Sequence, residues 1–163
     1  MSALPSFEDA ARRVKMTVAD LGEVLALEQS VYPFPWTRGN FVDSLAAGHI
    51  AHVLRARDAS LWGYSVALAG AGELHLLNLT VAAQQQGRGR ARGLLDALVS
   101  QAHALGHATL WLEVRESNLR AREVYRRYGF AEVGVRRGYY PALVQREDAV
   151  VMHLAIDGTQ APA

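Results

Sequence analysis

The segment from Val81 to Gly106, VAAQQQGRGRARGLLDALVSQAHALG, constrains the fold more than any other. Its second half sets Ala91, Leu94, Leu95, Leu98, Val99, Ala102 and Leu105 at spacings of three and four. That pattern predicts an amphipathic helix with Gly106 as its stop. A turn rich in glycine and arginine runs straight into this helix, and the strand-like run ELHLLNLTV runs into the turn. Amide N–H groups at a helix start have no intrahelical acceptor, and the helix dipole adds roughly half a positive charge there. Glycine lets the backbone approach a ligand where a side chain would block it. Strand, glycine turn and helix start thus make an anion site from backbone alone. Gly87 and Gly89 lie in the turn, and Arg88, Arg90 and Arg92 add charge.

The bulk numbers narrow what that anion belongs to. A chain of 163 residues reads as one domain, long enough to bury roughly 70% of its unfolded surface. A net charge of +1 gives no global reason to expect a nucleic-acid or membrane partner. Cysteine is absent, which excludes disulfides, thiol nucleophiles and thiolate metal sites. The N-terminal stretch MSALPSFEDAARR has acidic residues and no apolar core, unlike a secretory signal. No apolar run is long enough to span a membrane. The expectation is a cytoplasmic protein, with loose tails at residues 1–12 and 158–163 flanking a domain over residues 13–157.

Reading along the chain, a short strand is expected at Val14–Met16. TVADLGEVLALEQSVY follows as a helix with a capping box at Thr17 and Asp20 and with Leu21, Val24 and Leu25 on one face. WTRGNFVDSLAAG offers a second cap at Thr37, an apolar stripe at Phe41, Val42 and Leu45, and a stop at Gly48. HIAHVLRAR and LWGYSVALAG are two β-like runs around a short DAS connection, hence a hairpin. After the long helix, HATLWLEV is apolar on both faces and reads as a central strand. SNLRAREVYRRYGF is a helix capped near Ser117 or Asn118, with Ala121, Val124, Tyr125 and Tyr128 inward. AEVGVRRGYY and EDAVVMHLAI close the chain as strands. The order β-α-α-β-β-β-α-β-α-β-β is an α/β (α+β) chain, a mixed sheet with helices on its faces.

The turn fits neither G-x-x-x-x-G-K-[ST] nor G-x-G-x-x-G, so a P-loop ATPase and a dinucleotide fold both fail on spacing. A flexible Gly/Arg tract for RNA is disfavoured because the run passes directly into a periodic helix. What remains is Gln86-Gly87-Arg88-Gly89-Arg90-Ala91, of the form Q/R-x-x-G-x-G/A. It resembles the pyrophosphate signature of the GNAT acetyltransferases, and a plain solvated turn is the alternative on this motif alone. LWLEVRESNLRAREVYRRYGF, FPWT, RRGYYP, REDAVVM and LLNLTV extend the resemblance from about Lys15 to Leu154. Together they resemble the ribosomal-protein alanine N-acetyltransferase (RimI) branch.

The resemblance implies a single-domain GNAT fold, with a mixed, mostly antiparallel sheet flanked by helices. It also implies a splayed central strand pair that binds acetyl-CoA as cosubstrate. By the same resemblance Gln86, Gly87, Arg88, Gly89, Arg90, Ala91 and Arg92 hold the diphosphate. The backbone of Leu79, Thr80 and Val81 takes the pantetheine amides by a form of strand addition, and Asn118 contacts the cofactor. Amide transfer from a thioester needs a deprotonated amine, a stabilised thioester oxygen and an acid for the departing thiolate. Glu113 lies near the end of an otherwise apolar strand, where a carboxylate needs a purpose or a cation. Tyr125 follows on the inward face of the next helix. The resemblance makes Glu113 the general base and Tyr125 the general acid. The plain alternatives are a salt bridge from Glu113 to Arg115 or another arginine, a core aromatic at Tyr125 and a helix cap at Asn118.

An α-amine has a reference pKa near 7.7–8.0 and a lysine one near 10.4, which makes the neutral α-amine cheaper by roughly 3.4 kcal/mol. One carboxylate base suits an α-amine, and the resemblance implies the N-terminal alanine of a small-subunit ribosomal protein. A lysine side chain, another N-terminus, a small amine, or a catalytically silent acetyl-CoA-binding module are the competing readings. Where relatives carry a Gly-containing polar turn after YYP, this chain has Ala142–Gln145, ALVQ, close to the expected acceptor. The scattered histidines, His103 and His107 among them, give no metal-ligand spacing, so no metal is expected. Trp36 is expected to seat the second helix beside its cap. Arg120, Arg122, Arg126 and Arg127 read as a solvated helix face, with no specific nucleic-acid contact expected. The chain is expected to act as a monomer.

Overall fold

The computed structural model describes residues 11–156. The elements are β1 (Ala11–Lys15), a 3₁₀ turn at Val18–Asp20, α1 (Leu21–Val31), α2 (Arg38–Ala46), β2 (Ile50–Ala56), β3 (Leu61–Gly70) and β4 (Glu73–Val81). They continue with a second 3₁₀ turn at Ala83–Gln85, α3 (Arg90–Ala104), β5 (Thr109–Arg115), α4 (Leu119–Tyr128), β6 (Ala131–Tyr140) and β7 (Glu147–Ala155). Apart from the 3₁₀ turns, this is the expected order. The strands form one seven-stranded sheet in the order β1-β2-β3-β4-β5-β7-β6. β4 and β5 are parallel, joined by the crossover helix that a parallel pair requires. β1–β2, β5–β7 and β6–β7 are antiparallel.

The first strand corrects the sequence reading. It begins at Ala11, inside the stretch expected to be a loose tail, and pairs Ala11 with Ala56 through to Lys15 with His52. Exposed Arg12 and Arg13 disguise it, but the buried methyl of Ala11 joins a small core of Leu54, Val81 and Leu94. The remaining tail residues, 1–10 and 158–163, lie outside the described part. Thr17 and Asp20 do cap the chain: the Asp20 carboxylate accepts from the Thr17 amide at 2.8 Å. Here, however, they open a 3₁₀ turn and α1 begins at Leu21. Thr37 caps α2 as expected, accepting from Asn40 N–H at 3.1 Å. The Trp36 ring packs 5.0 Å from Phe41, seating that helix. Three residues expected on apolar faces, Val42, Leu105 and Val124, are exposed instead. Each sits at the margin of a stripe whose centre (Phe41, Leu98 or Tyr125) is buried.

By contacts between residues the chain divides into two compact units. One comprises the chain up to Val66 together with Asn78–Leu95, and the other Ala67–Leu77 together with the chain from Asp96. In the first, Gly63 on β3 meets β4 so closely that a Cβ would lie 2.5 Å from the Thr80 carbonyl oxygen. Only glycine fits there. In the second, β5 buries Leu110, Leu112 and Val114 on one face. Trp111, Glu113 and Arg115 therefore fall on the other, by the two-residue period of a strand. β6 carries one extra residue between Glu132 and Gly134: Glu132 pairs with Met152, but Gly134 already pairs with Val151.

Candidate active site

The first unit holds the turn that the sequence marks as an anion cradle. Gly87 and Gly89 both adopt positive φ, 75° and 77°, a conformation glycine takes without strain. No heavy atom lies within 4 Å of a Cβ built on either, so the backbone of the turn is bare on that side. The Gly93 amide donates to the Gly89 carbonyl at 3.1 Å, the opening bond of α3. The amides of Gly89, Ala91 and Arg92 stand ahead of it, where a helix has no intrahelical acceptor to offer. Arg88 and Arg92 are exposed. The Arg90 guanidinium lies over the Trp62 ring at 4.0 Å. Gln86 turns inward and its side-chain amide donates to the Val81 carbonyl at 3.1 Å, bracing the turn against the end of β4. Bare backbone, a helix start and flanking cations fit a diphosphate.

The end of β4 is held by a polar network that the sequence did not reveal. Glu28 of α1 is only 2% exposed. Its Oε1 accepts from the Tyr64 hydroxyl at 2.5 Å and from Asn78 Nδ2 at 2.9 Å, and its Oε2 accepts from the Trp36 amide at 2.9 Å. Thr80 Oγ1 donates to Asn78 Oδ1 at 2.9 Å and lies 2.9 Å from the Tyr32 hydroxyl. Tyr32 also donates to the Leu79 carbonyl at 3.1 Å. Burial pushes Tyr32 up to about 12 and pushes Tyr64 upward as well, with the Glu28 carboxylate adding to both. The carbonyls of Leu79 and Val81 thus each accept from a side chain, Tyr32 and Gln86 respectively.

The second unit holds the residues expected to carry chemistry. The Glu113 side chain is 3% exposed. Its Oε1 lies 3.0 Å from Arg136 Nη1 and 3.5 Å from His75 Nε2. Its Oε2 is buried without a hydrogen-bond partner. Arg115, the nearer arginine in sequence, is paired elsewhere: it donates to Glu147 at 3.1 Å and to the Pro141 carbonyl at 2.8 Å. The His75 ring stacks on Trp111 at 3.6 Å. Burial holds His75 below the usual imidazole range against the opposing pull of Glu113, so it is neutral at neutral pH. Tyr139 and Tyr140 are pushed up, first by burial and then by the Glu113 carboxylate.

Tyr125 is buried on α4, its ring 5.6 Å from Phe130. Asn118 caps α4, Oδ1 accepting from Ala121 N–H at 3.1 Å. That occupies its acceptor and leaves its amide donors on the same side chain. Arg122 pairs with Glu132 at 2.9 Å, while Arg126 and Arg127 pair with Glu123. Among the described residues no cluster of His, Asp or Glu could hold a metal ion, and no helix is long and apolar enough to cross a membrane.

The mixed sheet and the glycine turn that opens α3 are those of an acyl-group transferase. The chain belongs to the GNAT family of acetyltransferases: the family described as "Acetyltransferase (GNAT) family" matches residues 21–130. Acetyltransferases of this family take their acetyl group from acetyl-CoA. The chain is 33% identical to the [Ribosomal protein bS18]-alanine N-acetyltransferase of Escherichia coli (strain K12) over 141 residues, 86% of this chain and 95% of that protein. It is 34% identical to the protein of the same name from Haemophilus ducreyi over 136 residues, 83% of this chain and 93% of that one. The crystal structure of the ribosomal-protein-S18-alanine N-acetyltransferase from Escherichia coli superposes with a TM-score of 0.81 at 31% identity, covering 94% of this chain and 99% of that one.

Proposed function

We propose that this chain transfers the acetyl group of acetyl-CoA to the N-terminal α-amine of a protein, and that the acceptor is the N-terminal alanine of a small-subunit ribosomal protein. The printed activity of the relatives supports the acceptor. The observation that carries the chemistry is the Glu113 carboxylate, buried with Oε2 bare. A buried oxygen with unused lone pairs is costly unless it serves a ligand or a water.

In this reading the amides around Gly87–Arg92 hold the diphosphate, and the backbone of Leu79–Val81 takes the pantetheine amides. Asn118 offers its amide to the same cosubstrate. Glu113 accepts at Oε2, directly or through one water, a proton from the acceptor ammonium, which leaves the neutral amine to attack; the second proton, shed by the nitrogen as the amide forms, passes through solvent to restore Tyr125. Tyr125, a phenolic O–H donor, supplies a proton to the departing thiolate. Acetyl-CoA supplies the activated acyl group, and the nitrogen–acyl bond forms as the carbon–sulfur bond breaks.

The test is incubation of the purified protein with labelled acetyl-CoA and a peptide beginning with alanine, read by mass spectrometry. Label on the α-amine is expected. Label confined to an internal lysine, or calorimetry showing no uptake of coenzyme A, overturns the proposal.

A further inference from the structure

Glu113 presents its two oxygens unequally: Arg136 and His75 both meet Oε1, and the Tyr139 hydroxyl also bears on the carboxylate. Arg136 of β6 reaches Oε1 from across β7. The register explains how: Arg136 pairs with Ala149, and Ala149 pairs with Arg115, two residues from Glu113 on the same face of β5. On that face of β7 the side chains between the two strands are Ala149, opposite Arg136, and Val151, opposite Glu113. Guanidinium–carboxylate pairs are often bidentate, but here one nitrogen, Nη1, meets one oxygen, Oε1. Arg136 also lies over the Tyr139 ring, 5.2 Å from its centroid, which limits how far the guanidinium can swing. From the other side His75 of β4 brings Nε2 to the same oxygen, its ring clamped flat on Trp111. Both neighbours act on Oε1, and Oε2 is left buried and unengaged.

We infer that Arg136 and His75 are positioning residues: they hold Glu113 by Oε1 so that Oε2 faces the acceptor amine and takes its proton. The inference rests on the reading of Glu113 as the base. The two partners divide the work by charge. Arg136 is a permanent cation that keeps the carboxylate in one orientation. His75 is a neutral ring whose Nε2 edge lies 3.5 Å from Oε1, closing that side of the carboxylate without adding a second full charge. Arg136 belongs to the RRGYYP stretch, which the proposed mechanism otherwise leaves unused.

The experiment compares Arg136→Ala, Arg136→Lys, His75→Gln and Glu113→Gln in steady-state turnover of an N-terminal alanine peptide, with acetyl-CoA affinity measured by calorimetry. A general base is worth about 10²–10⁴ in rate. Loss of its orientation by Arg136→Ala is expected to lower kcat on the order of tenfold to a hundredfold. Acetyl-CoA affinity and peptide KM stay within about twofold of wild type, because neither partner touches the bound groups directly. Arg136→Lys recovers part of the loss, and added guanidinium recovers part of the Arg136→Ala loss, which a role in folding would not allow. His75→Gln, which keeps a polar side chain beside Oε1, loses only a few-fold. Full kcat in Arg136→Ala beside an inactive Glu113→Gln overturns this inference and leaves the base standing. A purely KM effect, or failure of guanidinium to restore turnover, overturns it equally. Full turnover in Glu113→Gln removes the base itself.

Discussion

Among the described residues, two glutamate side chains, Glu28 and Glu113, are buried and treated in opposite ways. Glu28 accepts three hydrogen bonds, from Tyr64, Asn78 and the Trp36 backbone, spread over both oxygens. Both of its oxygens are satisfied, and every donor is neutral. Glu113 has a cation and an imidazole crowded on one oxygen and nothing on the other. A carboxylate with both oxygens engaged is a structural tie, since a new partner would have to displace an old one. A carboxylate with one bare oxygen sits above its best energy and can still receive something. The contrast makes Glu28 a structural tie, and it is what supports the proposal that Glu113 serves as the base.

The largest expected effect tests that assignment on the chemical side. Glu113→Gln should lower turnover by about 10²–10⁴ with acetyl-CoA affinity and thermal stability kept. Unchanged turnover would erase the distinction. Next comes the mirror experiment. Glu28→Ala strands two buried donors and the part-buried Trp36 amide and should cost about 3–5 kcal/mol in urea unfolding. If the protein loses activity but not stability, Glu28 has been misassigned.

A smaller effect sharpens the comparison through pH. Tyr32 is raised to about 12 in the folded protein, against about 10 in an unfolded chain. The unfolded chain thus gives up this proton first as pH rises. The stabilisation is complete below about pH 10 and is lost between about pH 10 and 12, roughly 2–3 kcal/mol for this residue. Tyr64 is displaced in the same direction. Alkaline unfolding should therefore be steep, and Tyr64→Phe should make it shallower. An equally steep curve in Tyr64→Phe would show that this network does not govern it. The smallest effect falls on the turn. Gly89→Ala forces an alanine to φ 77°, at roughly 1–2 kcal/mol, and should weaken acetyl-CoA binding about tenfold by calorimetry with little change in kcat.

Much of the fold was legible because it is encoded locally. Periodicity placed α3, alternation and apolar runs placed β4 and β5, and the Thr37 cap announced α2. Glu113 and Tyr125 also stood out locally, as a carboxylate in an apolar strand and an aromatic on an inward helical face. Their surroundings did not. Glu28 lies in LALEQSV, where it reads as the polar side of a helix. What buries it comes from Trp36, Tyr64 and Asn78, the last two 36 and 50 residues away in sequence. The partner of Glu113 was expected among arginines, with Arg115 the nearest. The arginine that reaches it, Arg136, is 23 residues further on, and its arrival depends on strand register, which no single segment displays.

That register turns on the extra residue in β6. If Val133 were paired in a regular ladder counted from the Glu132–Met152 pair, Arg136 would stand opposite Asp148, and its side chain would leave on the far side of the sheet from Glu113. The irregularity near Val133 works like a shifted reading frame: it changes no side chain's chemistry, only which surface each one serves. Pairing the same residues regularly, with Val133 taken into the ladder, would leave the arginine in the chain and take it away from the carboxylate. The link between these two charges is therefore set by a count of backbone units as much as by the identity of the residues that make it.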